Sequence, residues 1–220
     1  AVAGHPGFTA QFNSELSTPG IRVPITANAA IFSEAIKIGE RILWAQTYGG
    51  RFADPSAGRP KSNIRFAQND PRQPKALTPV SILPTSLSFE DGVLSVGDGS
   101  WGPVAQEVYE YAVGTKNVIH SWVNYRRSDS DAVKSTPLDE MIPSHWVPSW
   151  TPALTDLLTV LTRLVDEEPA QLNLLSQVIA GPLLTMSGLE ADGVAWPKSK
   201  ADRKPKVLAT VGSTAVPLDI

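Results

Sequence analysis

Behind Thr151-Pro152, an N-cap residue followed by a first-turn proline, Leu154, Leu157, Leu158, Leu161, Leu164 and Val165 recur at the spacing of one helical face. A second stripe starts near Pro169 and carries Leu172, Leu175, Val178 and Ile179 to a stop at Gly181-Pro182. Asp166-Glu167-Glu168 and the proline between the stripes read as a solvated connection. Residues 152–166 and 169–180 are therefore expected as an antiparallel helix pair with a tight link.

Earlier in the chain, Thr26 or Asn28 can cap a helix over residues 28–47, where Ile31, Phe32, Ala35, Ile36, Ile42 and Leu43 keep the same period before Gly49-Gly50. Residues 51–79 carry Pro, Gly, Asn and bases with little periodicity, which predicts a long loop around one short strand at Ile64-Arg65-Phe66. Two alternating runs within residues 86–96, joined by Glu90-Asp91-Gly92, predict a hairpin. Val118, Ile119, Trp122, Val123 and Arg126 lie on one face of a helix over 117–127, with Trp122 as its core anchor and Arg126 or Arg127 emerging at its end. The fold class is thus α+β: a small, mainly antiparallel sheet packed by several helices, closed by the C-terminal helix pair. A last strand is expected over residues 207–211.

Composition narrows the function. The chain has 220 residues, room for a single domain over 1–220. No apolar run nears the ~20 residues that span a bilayer. The absence of cysteine excludes disulfides, thiolate zinc sites and cysteine nucleophiles, and it fits a reducing, cytoplasmic setting. The chain opens at Ala1 without a methionine or a basic signal-peptide region, so it is expected to be a piece of a longer polypeptide.

A net charge of −3 argues against coating nucleic acid by bulk charge. Its distribution says more. Arg51, Arg59, Lys61, Arg65, Arg72 and Lys75 face only Asp54 and Asp70 within their stretch, and residues 198–206 are also basic. Asp139, Glu140, Asp156, Asp166, Glu167 and Glu168 dominate residues 137–168. Such segregation is compatible with one face that meets phosphate.

No catalytic constellation emerges. Gly97-Asp98-Gly99-Ser100-Trp101-Gly102 spells the glycine pattern of a dinucleotide loop, but it follows a hairpin strand, meets Pro103 at once and lacks a ribose-binding acid about 20 residues on. It reads as a turn. Asn69-Asp70-Pro71-Arg72 lacks the aromatic ring that would hold a flipped base. His5, His120 and His145 are too scattered for a metal site, so each is expected to be structural and no metal is expected. The polar loops instead hold Arg, Asn and Gln, the side chains that read base edges.

Two further segments carry a resemblance. Residues 20–28, Gly-Ile-Arg-Val-Pro-Ile-Thr-Ala-Asn, and 43–49, Leu-Trp-Ala-Gln-Thr-Tyr-Gly, resemble the start of the carboxy-terminal specificity domain of Type ISP restriction-modification enzymes, single polypeptides akin to Type I. Tyr111-Ala112-Val113-Gly114 followed by Trp122, Tyr125 and Arg126 looks like that family's Tyr-x-Val-Gly…Trp-x-x-Tyr-Arg signature, and Pro137-Leu138-Asp139 and the block over residues 146–181 look familial. The resemblance implies a target-recognition domain, non-catalytic by itself, that reads double-stranded DNA for an adenine-N6 methyltransferase. S-adenosylmethionine would then belong to the parent's catalytic domain, and the partners are DNA and that domain. Within this frame Tyr111, Gly114, Trp122 and Tyr125 are expected to be structural. The candidate DNA contacts are Arg65, Arg72, Lys75, Arg126, Arg127 and Lys134, with Arg72 first for base reading. The competing readings are a non-catalytic interaction subunit of a phage-defence assembly, which would use its leucine-rich helices as a protein-binding face, and a methyltransferase that uses residues 97–102.

Overall fold

A computed structural model describes residues 1–16, 18, 22–127 and 143–199. Two compact units divide the chain, Ala1–Leu183 and Leu184–Ile220. In the first, short helices α1 (Pro6–Gln11) and α2 (Asn13–Leu16) precede the long α3 (Ala29–Gln46). Asn28 caps α3, its Oδ1 accepting from the backbone N–H groups of Ala30 and Ile31 at 2.9 and 3.2 Å. The helix ends because Tyr48 and Gly49 turn left-handed, at φ 52° and 76°. A Cβ on Gly49 would come 2.9 Å from the backbone nitrogens of Ser62 and Asn63, so only glycine lets the chain close there.

Four antiparallel strands, β1 (Lys75–Thr78), β2 (Leu87–Glu90), β3 (Val93–Val96) and β4 (Gly99–Gly102), form a sheet in the order β1-β4-β3-β2. The expected hairpin is there, with Glu90 opposite Val93 and a two-residue turn at Asp91 and Gly92, both at positive φ. Leu94, Val96 and Trp101 are wholly buried on its inner face. The strand expected at Ile64-Arg65-Phe66 is not formed. Ile64 is instead a buried loop anchor, and the strand contributed by this region is β1, at 75–78. Its four residues are all exposed, so they carry none of the alternation by which a half-buried strand announces itself.

A short helix α4 (Gln106–Glu110) leads to a two-stranded ribbon, β5 (Ala112–Val113) and β6 (Lys116–Asn117), and Asn117 caps α5 (Val118–Asn124) by accepting from His120 N–H. Ile119 and Val123 are buried as expected, but Trp122 is only half-buried, packed beside Trp146 with ring centroids 6.1 Å apart. The fully buried indole is that of Trp101, at 0% exposure, and its Nε1–H donates to Thr155 Oγ1.

The expected helix pair is a single helix, α6 (Trp150–Ala180), 31 residues long with Pro169 inside it. Proline removes one backbone donor and crowds the preceding turn, yet it does not force a reversal when the buried face continues beyond it. Here it continues. Leu164 and Gln171 are two turns apart and both buried, as are the pairs Leu154–Leu161 and Gln171–Val178. Leu172 and Ile179, assigned to the buried face of a second helix, are largely exposed because that face never reset. The core runs along α6, with Leu154, Leu158, Leu161 and Val178 against α3 and the sheet.

The second unit contains α7 (Met186–Ala191), capped by Thr185, whose Oγ1 accepts from Gly188 N–H. The strand expected over residues 207–211 lies outside the described residues.

Candidate nucleic-acid interface

The bases and acids that are segregated along the chain are brought together in space. Residues 64–74 lie on α6, where Arg65 Nη2 reaches Asp156 at 3.2 Å and Arg72 Nη1 reaches Asp166 at 2.8 Å. Arg72 also grips Asp70 through Nε and Nη2, at 2.9 and 2.6 Å. Arg41 of α3 makes the equivalent pair with Glu167. The expected solvated acidic connection is therefore a mid-helix row that neutralises arginines, and sequence segregation does not translate into a basic face over this stretch.

The same loop is pinned from within. The guanidinium carbons of Arg163 and Arg72 lie 4.1 and 4.5 Å from the centroid of the Phe66 ring, and Arg163 lies 4.7 Å from that of Trp44. Arg163 donates to the carbonyls of Ile64 and Arg65, and burial holds its pKa below that of a free guanidinium. Gln73 is buried and fully used: Oε1 accepts from Phe66 N–H at 2.8 Å, and Nε2 donates to Pro74 O and to Thr159 Oγ1, each at 3.0 Å. Arg72 is accordingly a fixed side chain on a braced loop.

Between this loop and the first turns of α6 lies a groove of about 440 Å³, lined by Arg65, Gln68, Lys75, Thr151, Pro152 and Thr155 among others. Lys75 is exposed, and no carboxylate among the described residues pairs with it. Beside the first residue of α6, the guanidinium of Arg126 stacks on Trp122 at 3.8 Å and lies 5.3 Å from the Trp150 centroid. Its Nη1 donates to Trp122 O, its buried Nε has no hydrogen-bond partner, and burial lowers its pKa. Arg127 donates to Thr85 O. Of the six candidate cations, Arg65 and Arg72 are paired with carboxylates. Lys75, Arg126 and Arg127 are paired with no carboxylate of the described residues, and Lys134 lies outside those residues, as does Pro137-Leu138-Asp139.

The signature residues divide by environment. Tyr111 is half-buried against the core, where burial raises its hydroxyl pKa, with the charge of Glu168 adding to the shift. Gly114 turns the β5–β6 ribbon at φ 61°. Tyr125 is 87% exposed. His5 caps α1 through Nδ1, His120 meets the Tyr109 hydroxyl at 3.0 Å, and His145 is exposed. Gly97 and Asp98 turn β3 into β4, and Gly99 sits where a Cβ would strike Val80, so the glycine pattern opens onto a strand rather than a helix. Sequence reasoning missed Gln68, Trp150 and Arg163. Only Trp150 carried a signal, its place directly before the Thr151-Pro152 helix start.

Among the described residues no group of three or more His, Asp or Glu is placed to hold a metal, and no helix is long and apolar enough to cross a membrane. Comparison with family models puts the chain among the non-catalytic target-recognition parts of restriction-modification enzymes. Residues 1–157 match the model described as Type ISP C-terminal specificity domain, and the chain belongs to that family. No curated protein and no solved structure matches it.

Proposed function

We propose that the chain, as a single recognition domain, binds double-stranded DNA sequence-specifically on behalf of an adenine-N6 methyltransferase of the restriction-modification type, in the cytoplasm. The observation that carries this reading, beside the family, is the set of cations that no carboxylate of the described residues pairs, gathered about the first turns of α6. Lys75 lines the groove, Arg126, stacked on Trp122, lies 5.3 Å from the ring of Trp150 at the start of the helix, and Arg127 follows it in sequence. Cations there act together with the positive end of the helix dipole, which favours phosphate. Lys134, six residues beyond Ser128, belongs to the same proposed set on sequence grounds alone.

The test is a salt-titrated affinity series for the 220-residue chain on duplex DNA. Lys75→Ala is expected to weaken binding to all duplexes alike and to lower the salt slope by ~1. A chain that retains no duplex at low salt refutes the reading. S-adenosylmethionine is proposed for the parent's catalytic domain, so calorimetry of this chain with it should show no saturable heat.

A second observation favours a protein partner. Val23, Ile25, Phe32 and Ile36, each 45–49% exposed, border an apolar groove of about 320 Å³ that Val178 also lines. Contiguous apolar exposure of this kind marks interaction surfaces. The family is by description a C-terminal domain, and the partner we assign is the parent's methyltransferase domain. Cross-linking from this groove to the rest of the parent tests the assignment.

A further inference from the structure

We infer that Gln68 and Asn69 are the base-reading residues of this domain and that they take the major-groove edge of adenine. This inference rests on the DNA reading above. The two residues form the middle of a turn in which Asp70 N–H donates to Ala67 O at 2.9 Å. Both are exposed, and neither carboxamide has a hydrogen-bond partner among the described residues.

Exposed amides are common on proteins; what sets these apart is the bracing of the turn that carries them. On one side of the turn, Phe66 is stacked by two guanidinium groups and its N–H is held by Gln73. On the other, Asp70 is gripped by Arg72, which is itself tied to Asp166 on α6. Gln73 further ties the stem to Thr159 in the helix interior. Every polar side chain of the stem is committed to holding the loop, and the two at its tip are left over. A tip fixed in advance loses little conformational freedom on binding, which is what selective hydrogen bonding to a base requires.

The chemistry of the tip chooses the base. A carboxamide accepts from adenine N6–H and donates to N7 in one bidentate contact, whereas guanine O6 and N7 call for an arginine or lysine. Arg65 and Arg72 flank the turn in the sequence, and both guanidinium groups are engaged by carboxylates, Arg65 by Asp156 and Arg72 by Asp70 and Asp166. Gln68 also lines the groove that holds Lys75, so a duplex whose phosphate met Lys75 would present its base edges beside the turn.

The experiment is selection of bound duplexes from a randomised library, followed by sequencing, for the unsubstituted chain, Gln68→Ala/Asn69→Ala and the isosteric Gln68→Glu/Asn69→Asp. The unsubstituted chain should enrich a motif that contains adenine. In both variants, discrimination at one or two adenine positions should fall by roughly 5- to 150-fold; in the alanine variant the thermal midpoint, the affinity for unselected DNA and its salt slope stay unchanged, whereas the two added charges of the acidic variant weaken binding to all duplexes. An unchanged motif in the variants overturns the inference and leaves the DNA reading standing. Loss confined to guanine positions, or loss of all duplex binding by the alanine variant with its midpoint intact, also overturns it. If the unsubstituted chain binds duplexes but enriches no motif, the proposal of sequence-specific recognition fails first.

Discussion

Arg41 of α3 meets Glu167 of α6 as a fork on a fork, Nε to Oε1 at 2.6 Å and Nη2 to Oε2 at 2.8 Å. The two side chains remain 34% and 21% exposed, so solvent screens part of the attraction, but the bidentate geometry fixes the register between the two longest helices. Glu167→Gln keeps the volume and removes the charge. It is expected to cost about 1 kcal/mol, which in a domain of this size lowers the thermal midpoint by ~2–4 °C. Thermal unfolding of the variant beside the parent chain checks this.

Asp70 gives the stem of the turn its acid sensitivity. The Arg72 guanidinium and the Arg72 backbone N–H hold its carboxyl at about 2, below the usual value of 3.8. A carboxyl depressed in the folded state adds stability above its unfolded pKa, and this contribution disappears as pH falls through the folded one. The chain should therefore lose stability between about pH 4 and pH 2, and Asp70→Asn, less stable at neutral pH, should lose less across that window. Thermal midpoints recorded against pH for both proteins decide it; parallel curves would show that Asp70 is not a determinant.

Pro169 interrupts the hydrogen-bond ladder of a helix whose buried face runs through it. Pro169→Ala restores a donor to the carbonyl of Val165 and removes the crowding of the ring. After allowance for the freedom regained by the unfolded chain, it should stabilise the protein by ~1–3 kcal/mol. Chemical denaturation measures this directly. A destabilised variant would mean that the proline sets a bend on which the packing depends.

Gly99 carries no side chain because β1 and the chain after it pass too close. A Cβ would lie 2.3 Å from Val80 Cγ2, 2.9 Å from Val80 N and 3.1 Å from Thr78 O. Gly99→Ala is expected to cost ~1–3 kcal/mol by forcing these strands apart. Circular dichroism and the thermal midpoint report the loss with no cofactor present, so the effect belongs to packing.

The parts of the fold legible in the sequence are those whose signal is local. Asn28 announces α3 by its own side chain, and Asp91-Gly92 announces the hairpin because a two-residue turn needs two residues that tolerate positive φ. The signals that misled were local as well. Pro169 after three acids is a reasonable place to break a helix, and only the unbroken phase from Leu164 to Gln171 and Val178 says otherwise. β1 was illegible because an exposed edge strand is defined by its partner, β4, and not by its own pattern.

At the candidate interface, residue type pointed to Lys75, Arg126 and Arg127, none of which a carboxylate of the described residues pairs. It pointed equally to Arg65 and Arg72, since nothing within residues 64–75 tells which arginine will meet an acid more than ninety positions away. Gln68 stood out only once its neighbours were accounted for.

One consequence follows from α6 being unbroken. Its 31 residues span about 46 Å, with the cation-lined groove at Thr151 and the apolar groove at Val178 near opposite ends. Were the proposed DNA surface at one end and the proposed methyltransferase contact at the other, the helix would act as a spacer. The separation between the bases that are read and the adenine that is modified would then be set by a core element that cannot be lengthened without breaking Arg41–Glu167 and Arg72–Asp166, which makes it a fixed distance of this domain.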